Sequence, residues 1–197
     1  MANKKVFKMP RNVKITGRTS SVTNSFVNGI IPCIKPRPEE IEECLSILGL
    51  DPDNLTCAYC GDKCSEWDHF RPIVKGKRPT GFISEIANLV PSCGKCNQSK
   101  SGSFWRAWML SEASESPKSR NISDLVERIS RLEEYERWKS VQKIDFKDIV
   151  GSDLWHEYWE YHDKLHALMR EAQIAQNRLR EMINSSMEEQ EKASIKP

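Results

Sequence analysis

Long hydrophobic runs are missing from this sequence of 197 residues. No apolar stretch approaches the roughly 18 residues that a membrane-spanning helix needs, so a membrane role is not expected. The apolar stretch of a secretory signal peptide is also missing between Met1 and Ser20. We therefore expect a cytoplasmic protein. Its 38% hydrophobic and 29% charged residues are compatible with a folded core.

Acidic residues are missing from the first twenty positions, which are instead rich in basic residues: Lys4, Lys5, Lys8, Arg11, Lys14 and Arg18. The imbalance continues, because residues 1–120 contain 18 basic and 12 acidic residues, whereas residues 121–197 contain 12 and 16. A basic arm followed by a basic domain is typical of proteins that bind a polyanion. Charge alone leaves open the alternative of a solvated, unstructured N-terminus.

The number of cysteines is odd, at seven, which argues against a disulfide framework when no signal peptide is visible. Four of them form two C-x-x-C pairs: Cys57, Cys60, Cys93 and Cys96. Two such pairs are the usual way to place four thiolates around one tetrahedral Zn²⁺, so we predict a structural zinc site. Cys64 is an alternative ligand with poorer spacing. Cys33 and Cys44 lie in apolar contexts and are expected in the core.

Composition and spacing divide the chain into three predicted regions: a basic N-terminal arm with a short helix (1–54), a dense central core (55–110) and a helical C-terminal region (111–197). Apolar residues recur at helical spacing in four segments, 39–48, 104–109, 121–138 and 153–190. Gly49 is expected to end the first of these helices. Ser20 to Asn28 is predicted to be a short strand or a loop.

The 32 residues between Cys60 and Cys93 are more than a simple zinc ribbon holds, and they contain polar residues suited to chemistry. Asp68 and His69 lie on a predicted strand, and Asn88 precedes a second short apolar run. Asn97 follows the second cysteine pair on the first turn of a predicted helix. A strand, a loop, a second strand and a helix, held at their ends by zinc, would bring Asp68, His69 and Asn97 together.

These residue types suit hydrolysis of a phosphodiester bond. Mg²⁺ prefers oxygen ligands, and Asp68 offers a carboxylate while Asn97 offers an amide carbonyl. His69 has the intrinsic pKa needed to take a proton from water near neutrality. Lys100, close to Asn97 in the sequence, is predicted to stabilise charge on the phosphate.

At these positions the chain resembles the HNH endonucleases, also called ββα-metal nucleases. The resemblance rests on four motifs: Cys57-x-x-Cys60, Asp68-His69-x-x-Pro72, Asn88-Leu89, and Cys93-x-x-Cys96-Asn97-x-x-Lys100. It implies an α+β fold with a small ββα-metal core, a four-cysteine zinc site and flanking helices. It also implies that Asp68 binds the metal, that His69 is the general base and that Asn88 ties down the loop. The products implied are a 5′-phosphate and a 3′-hydroxyl.

One departure from the family pattern concerns the catalytic metal. Asn97 stands where many family members have a final histidine, and an amide oxygen suits Mg²⁺ or Mn²⁺ better than Zn²⁺ or Ni²⁺. The resemblance implies double-stranded DNA as the partner, and the net charge of +5 on residues 69–100 suits contacts with its phosphates. The residues expected to contact its phosphates are Arg71, Lys75, Lys77, Arg78, Lys95 and Lys100.

Several alternatives stay open at this point. A zinc-dependent nucleic-acid-binding module without catalysis would share the cysteines and the basic surface, and a protein-interaction scaffold would use only the C-terminal helices. By analogy with the family, a bacterial or phage restriction or defence enzyme is expected, followed by a mobile-element nicking enzyme. A restriction role would involve a homodimer and a cognate methyltransferase, which this sequence does not reveal.

Other conspicuous residues in the C-terminal half are assigned structural roles. His162 and His166 are four apart, but the pair lacks the glutamate of a zinc-protease helix, so we predict partly exposed helix residues. The tryptophans there are expected to make core or helix–helix contacts rather than to stack on bases. The apolar positions of the last helix do not hold a strict heptad, which leaves its dimerisation open.

Overall fold

The computed structural model describes residues 9–194, with side chains as far as residue 192. The described residues form two compact units, one of residues 27–149 and the other of two segments, residues 9–26 and 150–194. No helix in the described part of the chain is long and apolar enough to cross a membrane. The predictions for Lys4, Lys5 and Lys8 lie outside the described residues.

Residues 9–194 are mostly helical and contain two small antiparallel sheets. The helices are α1 (Thr19–Asn28), α2 (Pro38–Leu48), α3 (Gly94–Lys100), α4 (Trp105–Met109), α5 (Leu125–Trp138), α6 (Phe146–Val150) and α7 (Ser152–Ser194). The strands are β1 (Glu66–His69), β2 (Val74–Lys75), β3 (Arg78–Pro79) and β4 (Leu89–Ser92). The predicted α+β class is therefore confirmed.

The ββα element that the sequence predicts is formed by β1, β4 and α3. Strand β1 pairs with β4 in antiparallel register, with Asp68 opposite Val90 and His69 opposite Leu89. The first cysteine pair is held against this sheet, because the backbone N–H of Ala58 donates to the carbonyl of Pro91 at 2.9 Å. The two strands, the segment that carries Cys57 and Cys60, and α3 therefore form one small layer.

The core of residues 27–149 lies between this layer and the helices α2, α4 and α5. Phe70 follows His69 directly, is fully buried, stacks on Trp105 and meets Tyr135 edge-on, with both ring centroids 5.1 Å away. Such aromatic pairs stabilise beyond the burial of their surface. The end of β1 that carries Asp68 and His69 is thus anchored in the core.

Helix α2 begins at Pro38, whose fixed φ suits a first helical position, and it ends at Gly49 as predicted. Gly49 adopts the left-handed conformation (φ +63°) and its N–H donates to the carbonyls of Leu45 and Ser46. The hairpin of β2 and β3 turns through Gly76 and Lys77, both at positive φ, which is typical of a two-residue hairpin loop.

The terminal unit contains a 3-10 helix (Ile15–Arg18), α1 up to Phe26, and the 43-residue α7. The prediction of a strand or loop over Ser20–Asn28 is wrong, because this segment is helical. Its Ser, Thr, Val and Asn residues have low helix propensity, but packing of one face overrides propensity in folded proteins. Here Phe26 packs on Tyr158 and His162 of α7.

Candidate active site and zinc-type cysteine cluster

The four cysteines predicted to bind zinc are brought together and buried: Cys57, Cys60, Cys93 and Cys96. Their sulfur atoms all lie within 4.8 Å of one another, and those of Cys60 and Cys93 are 3.7 Å apart. Tetrahedral Zn²⁺ with Zn–S bonds of about 2.3 Å places its sulfurs about 3.8 Å apart. The donor set and its spacing therefore fit a structural zinc ion. Cys64 lies outside the cluster, with its thiol on the carbonyl of Glu66.

Hydrogen bonds among these thiols shift their pKa values in opposite directions. Hydrogen bonds from Cys60 and Cys96 lower the pKa of Cys57 to about 4, whereas hydrogen bonds with Cys57 and then Cys60 raise the pKa of Cys96. A metal ion binds all four as thiolates and removes this competition. Arg120, far along the chain, donates to the sulfur of Cys96 at 3.7 Å and to Asp62 at 2.6 Å, which places a positive charge beside the cluster.

Asp68 is buried on β1 between two donors. Its Oδ2 accepts a hydrogen bond from the Tyr59 hydroxyl at 2.6 Å and forms an ion pair with the Lys100 ammonium at 2.9 Å. Tyr59 and Lys100 are themselves fully buried. Burial raises the pKa of Asp68 above its ordinary value, although the Lys100 charge and the Tyr59 hydrogen bond act in the opposite direction.

His69 is half-buried, and its backbone and ring are both held. Its carbonyl accepts a hydrogen bond from the Lys100 ammonium at 2.9 Å, and its Nε2 lies 2.8 Å from the Ser84 hydroxyl. Ser84 is itself fixed, because its backbone bonds to Pro32 and Ile34. Burial, followed by the positive charge of Lys100, lowers the pKa of His69 to about 4. The imidazole is therefore neutral near pH 7.

Asn88 is fully buried and its amide makes three hydrogen bonds to the backbone. Its Oδ1 accepts from the N–H of Arg71 at 2.7 Å, and its Nδ2 donates to the carbonyls of Arg71 and Ile83. A buried amide with these partners fixes the backbone that follows β1. This geometry matches a role in tying down the loop.

Asn97 contacts Glu66 rather than Asp68. Its Nδ2 donates to Glu66 Oε2 at 2.5 Å, so its carbonyl oxygen is oriented away from that carboxylate. Glu66 and Asp68 point to one side of β1, because alternate residues of a strand share a face. Asn97 and Lys100, three apart on α3, face this side and contact Glu66 and Asp68 respectively. The two predicted metal ligands thus lie on facing elements.

Comparison with known proteins identifies this layer. Residues 57–103 match the family model described as HNH endonuclease. This segment, which we call the HNH domain, is similar to HNH endonucleases over about a quarter of the chain. No curated protein and no solved structure matches the chain. The resemblance of the four sequence motifs to this family is therefore confirmed, and the cysteine cluster fits its zinc-containing subtype.

The basic residues of the HNH domain differ in their accessibility. Lys75 and Lys77 are exposed on the β2–β3 hairpin, and Lys95 is exposed on α3. Arg78 beside them is half-buried and donates to the carbonyl of Lys77. Lys100 is inside the domain, on Asp68.

Arg71 is tied to internal partners. Its side chain is only 13% exposed and donates to the carbonyls of Ala87 and Glu136. It therefore joins the loop after β1 to α5. Of the residues predicted to contact phosphate, Lys75, Lys77 and Lys95 are the most accessible.

Three residues of the HNH domain that contact the predicted site were not anticipated from the sequence: Tyr59, Glu66 and Ser84. Glu66 carries a signal, because it precedes Asp68 by two positions on a predicted strand and so shares its face. Tyr59 and Ser84 carry none, since a single tyrosine or serine in a loop does not indicate which side chain it contacts.

Proposed function

We propose that this protein is a metal-dependent endonuclease that hydrolyses phosphodiester bonds of double-stranded DNA. One observation carries the proposal: Asp68 and His69 are adjacent on β1 of an HNH domain, with Asn97 on the facing helix α3. In this assignment Asp68 and the carbonyl oxygen of Asn97 would hold Mg²⁺ or Mn²⁺. The bound cation would polarise the scissile phosphate and neutralise charge on the leaving oxygen.

His69 is proposed as the general base. We assign the proton of the neutral ring to Nε2, which then donates to the Ser84 hydroxyl oxygen, so that Nδ1 takes the proton from the attacking water. The water oxygen then bonds to phosphorus while the bond from phosphorus to the 3′ oxygen breaks. The 3′ oxygen takes a proton from solvent, which leaves a 5′-phosphate and a 3′-hydroxyl.

Lys100 is proposed as a positioning residue rather than a phosphate contact. Its ammonium is fully buried and bridges the Asp68 carboxylate and the His69 carbonyl, so it fixes both proposed catalytic residues relative to α3. The DNA backbone is assigned instead to the exposed residues Lys75, Lys77 and Lys95. A restriction or defence role fits this activity and rests on the family resemblance.

A zinc-dependent nucleic-acid-binding module without catalysis is the second candidate. One observation favours it, because the Asp68 carboxylate already has Lys100 and Tyr59 as partners. It predicts binding to DNA without cleavage under any metal.

The test is a plasmid nicking and linearisation assay with Mg²⁺, Mn²⁺ or EDTA. We expect cleavage with either metal and none in EDTA. His69→Ala should lose at least about 100-fold in rate, the usual contribution of a general base, while retaining DNA binding. His156→Ala, which alters an exposed histidine of α7, is the matched control and should cleave normally. Cleavage by His69→Ala at the wild-type rate would exclude His69 as the base.

A further inference from the structure

Helix α7 exposes an uninterrupted apolar stripe. From Leu154 to Met182, every residue at alternating spacings of four and three is apolar: Leu154, Tyr158, Tyr161, Leu165, Leu168, Ala172, Ala175, Leu179 and Met182. The large side chains are strongly exposed, apart from Tyr158, which bonds to the carbonyl of Phe26; the others range from 42% for Leu165 to 70% for Met182. Four heptads of this kind are typical of a helix that pairs with another helix.

The N-terminal segment of the chain covers a different face of α7. Thr23 contacts the buried rings of His162 and His166, and Thr16 donates from its backbone to Gln173. These covered residues also follow a heptad spacing, but on a stripe about 100° around the helix from the exposed one. Apart from Tyr158, which packs on Phe26, the exposed stripe therefore lies beside, and not under, the contacts that build the terminal unit.

Four charged residues of alternating sign flank the exposed stripe: Glu157, Lys164, Glu171 and Arg178. Each directly precedes a residue of the stripe, namely Tyr158, Leu165, Ala172 and Leu179. All four charged residues are exposed. In an antiparallel pair of helices, such residues face their counterparts across the interface. When the order acid, base, acid, base runs antiparallel to a second copy, every acid faces a base. This surface therefore matches a second copy of itself.

We propose that this stripe joins two copies of the chain, whose α7 helices pair in antiparallel orientation. The proposed register places Leu165 opposite the partner's Leu168, with Lys164 beside the partner's Glu171 and Glu157 beside the partner's Arg178. It also places Tyr161 opposite the partner's Ala172, a large residue against a small one. The paired region covers roughly four heptads of each helix.

Neighbouring registers are disfavoured by charge. A shift of one heptad in one direction places Glu171 beside the partner's Glu171 and Lys164 beside the partner's Arg178. A shift in the other direction places Lys164 beside the partner's Lys164. Like charges in these positions oppose pairing. A parallel pair would place Lys164 beside the partner's Met169, without any ion pair.

The dimer would also bear on the proposed nuclease activity. Cutting both strands of a duplex generally requires two active sites, and a two-fold pair of chains supplies them. The proposed dimer depends on α7 alone. It is tested without reference to cleavage, so its failure would not affect the HNH assignment.

The first experiment measures the mass of the full chain by sedimentation or light scattering over a range of concentrations. We expect twice the 22.7 kDa of one chain. Leu165→Glu and Leu168→Glu should each shift the protein to a monomer, because they place a charge in the centre of the interface. Ile174→Glu is the matched control: Ile174 is 62% exposed on the same helix but off the stripe, and this variant should remain dimeric.

Circular dichroism should show unchanged helix content in these variants, since the altered residues are exposed. A monomer at every concentration would overturn the proposal, and so would a dimer that both glutamate variants leave intact.

The second experiment tests the antiparallel register by exchanging charges. Lys164→Glu and Glu171→Lys should each weaken the dimer, because each places like charges together across the interface. The double variant restores opposite charges and should recover the dimer. The pair of Lys164 with Glu160 within the helix is exposed and contributes little. Single variants that dimerise as well as the wild type would overturn the register.

Discussion

Asp68 shows how the cysteine cluster and the proposed active site are connected through single residues. Tyr59 lies between two cysteines of the zinc-type cluster, and its hydroxyl donates to the Asp68 carboxylate at 2.6 Å. Its ring packs edge-on against Trp108, with centroids 5.2 Å apart. The cysteine knuckle therefore positions the proposed ligand of the catalytic metal through one hydrogen bond.

Tyr59→Phe should lower the cleavage rate without affecting the cysteine cluster. The ring and its packing on Trp108 stay, so we expect unchanged zinc content and near-normal melting. Loss of a hydrogen bond to a charged group is worth about 1.5 kcal/mol or more, so the cleavage rate should fall at least about tenfold. Tyr158→Phe, which removes a hydroxyl bonded to the Phe26 carbonyl, is the control and should cleave normally. Equal rates for the two variants would contradict the role given to Tyr59.

Lys100→Met tests the buried ion pair with Asp68. Removing the ammonium leaves a buried carboxylate without its charged partner, which should lower the free energy of unfolding by about 3–5 kcal/mol at pH 7. Burial already raises the pKa of Asp68, so protonation favours the folded state and the deficit should shrink as the pH is lowered. Urea unfolding measures both effects. The double variant Lys100→Met/Asp68→Asn should recover most of the loss; no recovery would assign the loss to packing.

Prediction from the sequence succeeded for residues whose function requires a fixed spacing along the chain. The two C-x-x-C pairs gave the cysteine cluster, since their spacing restricts how the four sulfurs can lie. Contacts between single side chains that are far apart in the sequence have no such spacing and could not be predicted. His162 and His166 were expected to be partly exposed, which is wrong: both are buried against Thr23.

At the scale of elements, helices with a clear apolar period were predicted well, and α2, α4, α5 and α7 all lie close to their predicted bounds. The helix α1 was missed because its stability comes from contacts with α7 rather than from its own residues. The heptad of α7 was also missed. In the sequence, Trp159 and Met169 of the covered face alternate with Leu165, Ala172 and Leu179 of the exposed stripe, which hides the regular spacing of each.

The cysteine cluster joins the segment before β1 to the segment after β4, so its loss should affect the whole ββα element. Cys93→Ser should lower the bound zinc, measured by elemental analysis, and lower the melting temperature, because a structural zinc contributes directly to folding free energy. The prediction that Cys33 lies in the core is wrong, because Cys33 is exposed; it is also outside the cluster, so Cys33→Ser is the matched control. Unchanged zinc content in the Cys93 variant would remove Cys93 from the ligand set.

At the scale of the whole molecule, the charged residues form two kinds of surface, one basic and one with alternating charges. The exposed lysines of the hairpin and α3 lie in the HNH domain, where the proposed DNA substrate must bind. The charges of α7 alternate in sign beside an apolar stripe, which suits contact with another helix rather than with a polyanion. Binding of DNA and association of chains are thus assigned to separate parts of the molecule.

This division predicts which lysines determine the salt dependence of DNA binding. In EDTA, where cleavage is absent, Lys75→Ala/Lys77→Ala should weaken binding to any duplex sequence. It should also reduce the slope of log K against log salt by up to about 2, since each lost phosphate contact removes about one released counterion. The double variant Lys118→Ala/Lys147→Ala removes two exposed lysines outside residues 69–100 and should leave the slope unchanged. Fluorescence anisotropy at several salt concentrations measures the slope. If both double variants lower it equally, binding depends on net charge and not on the hairpin.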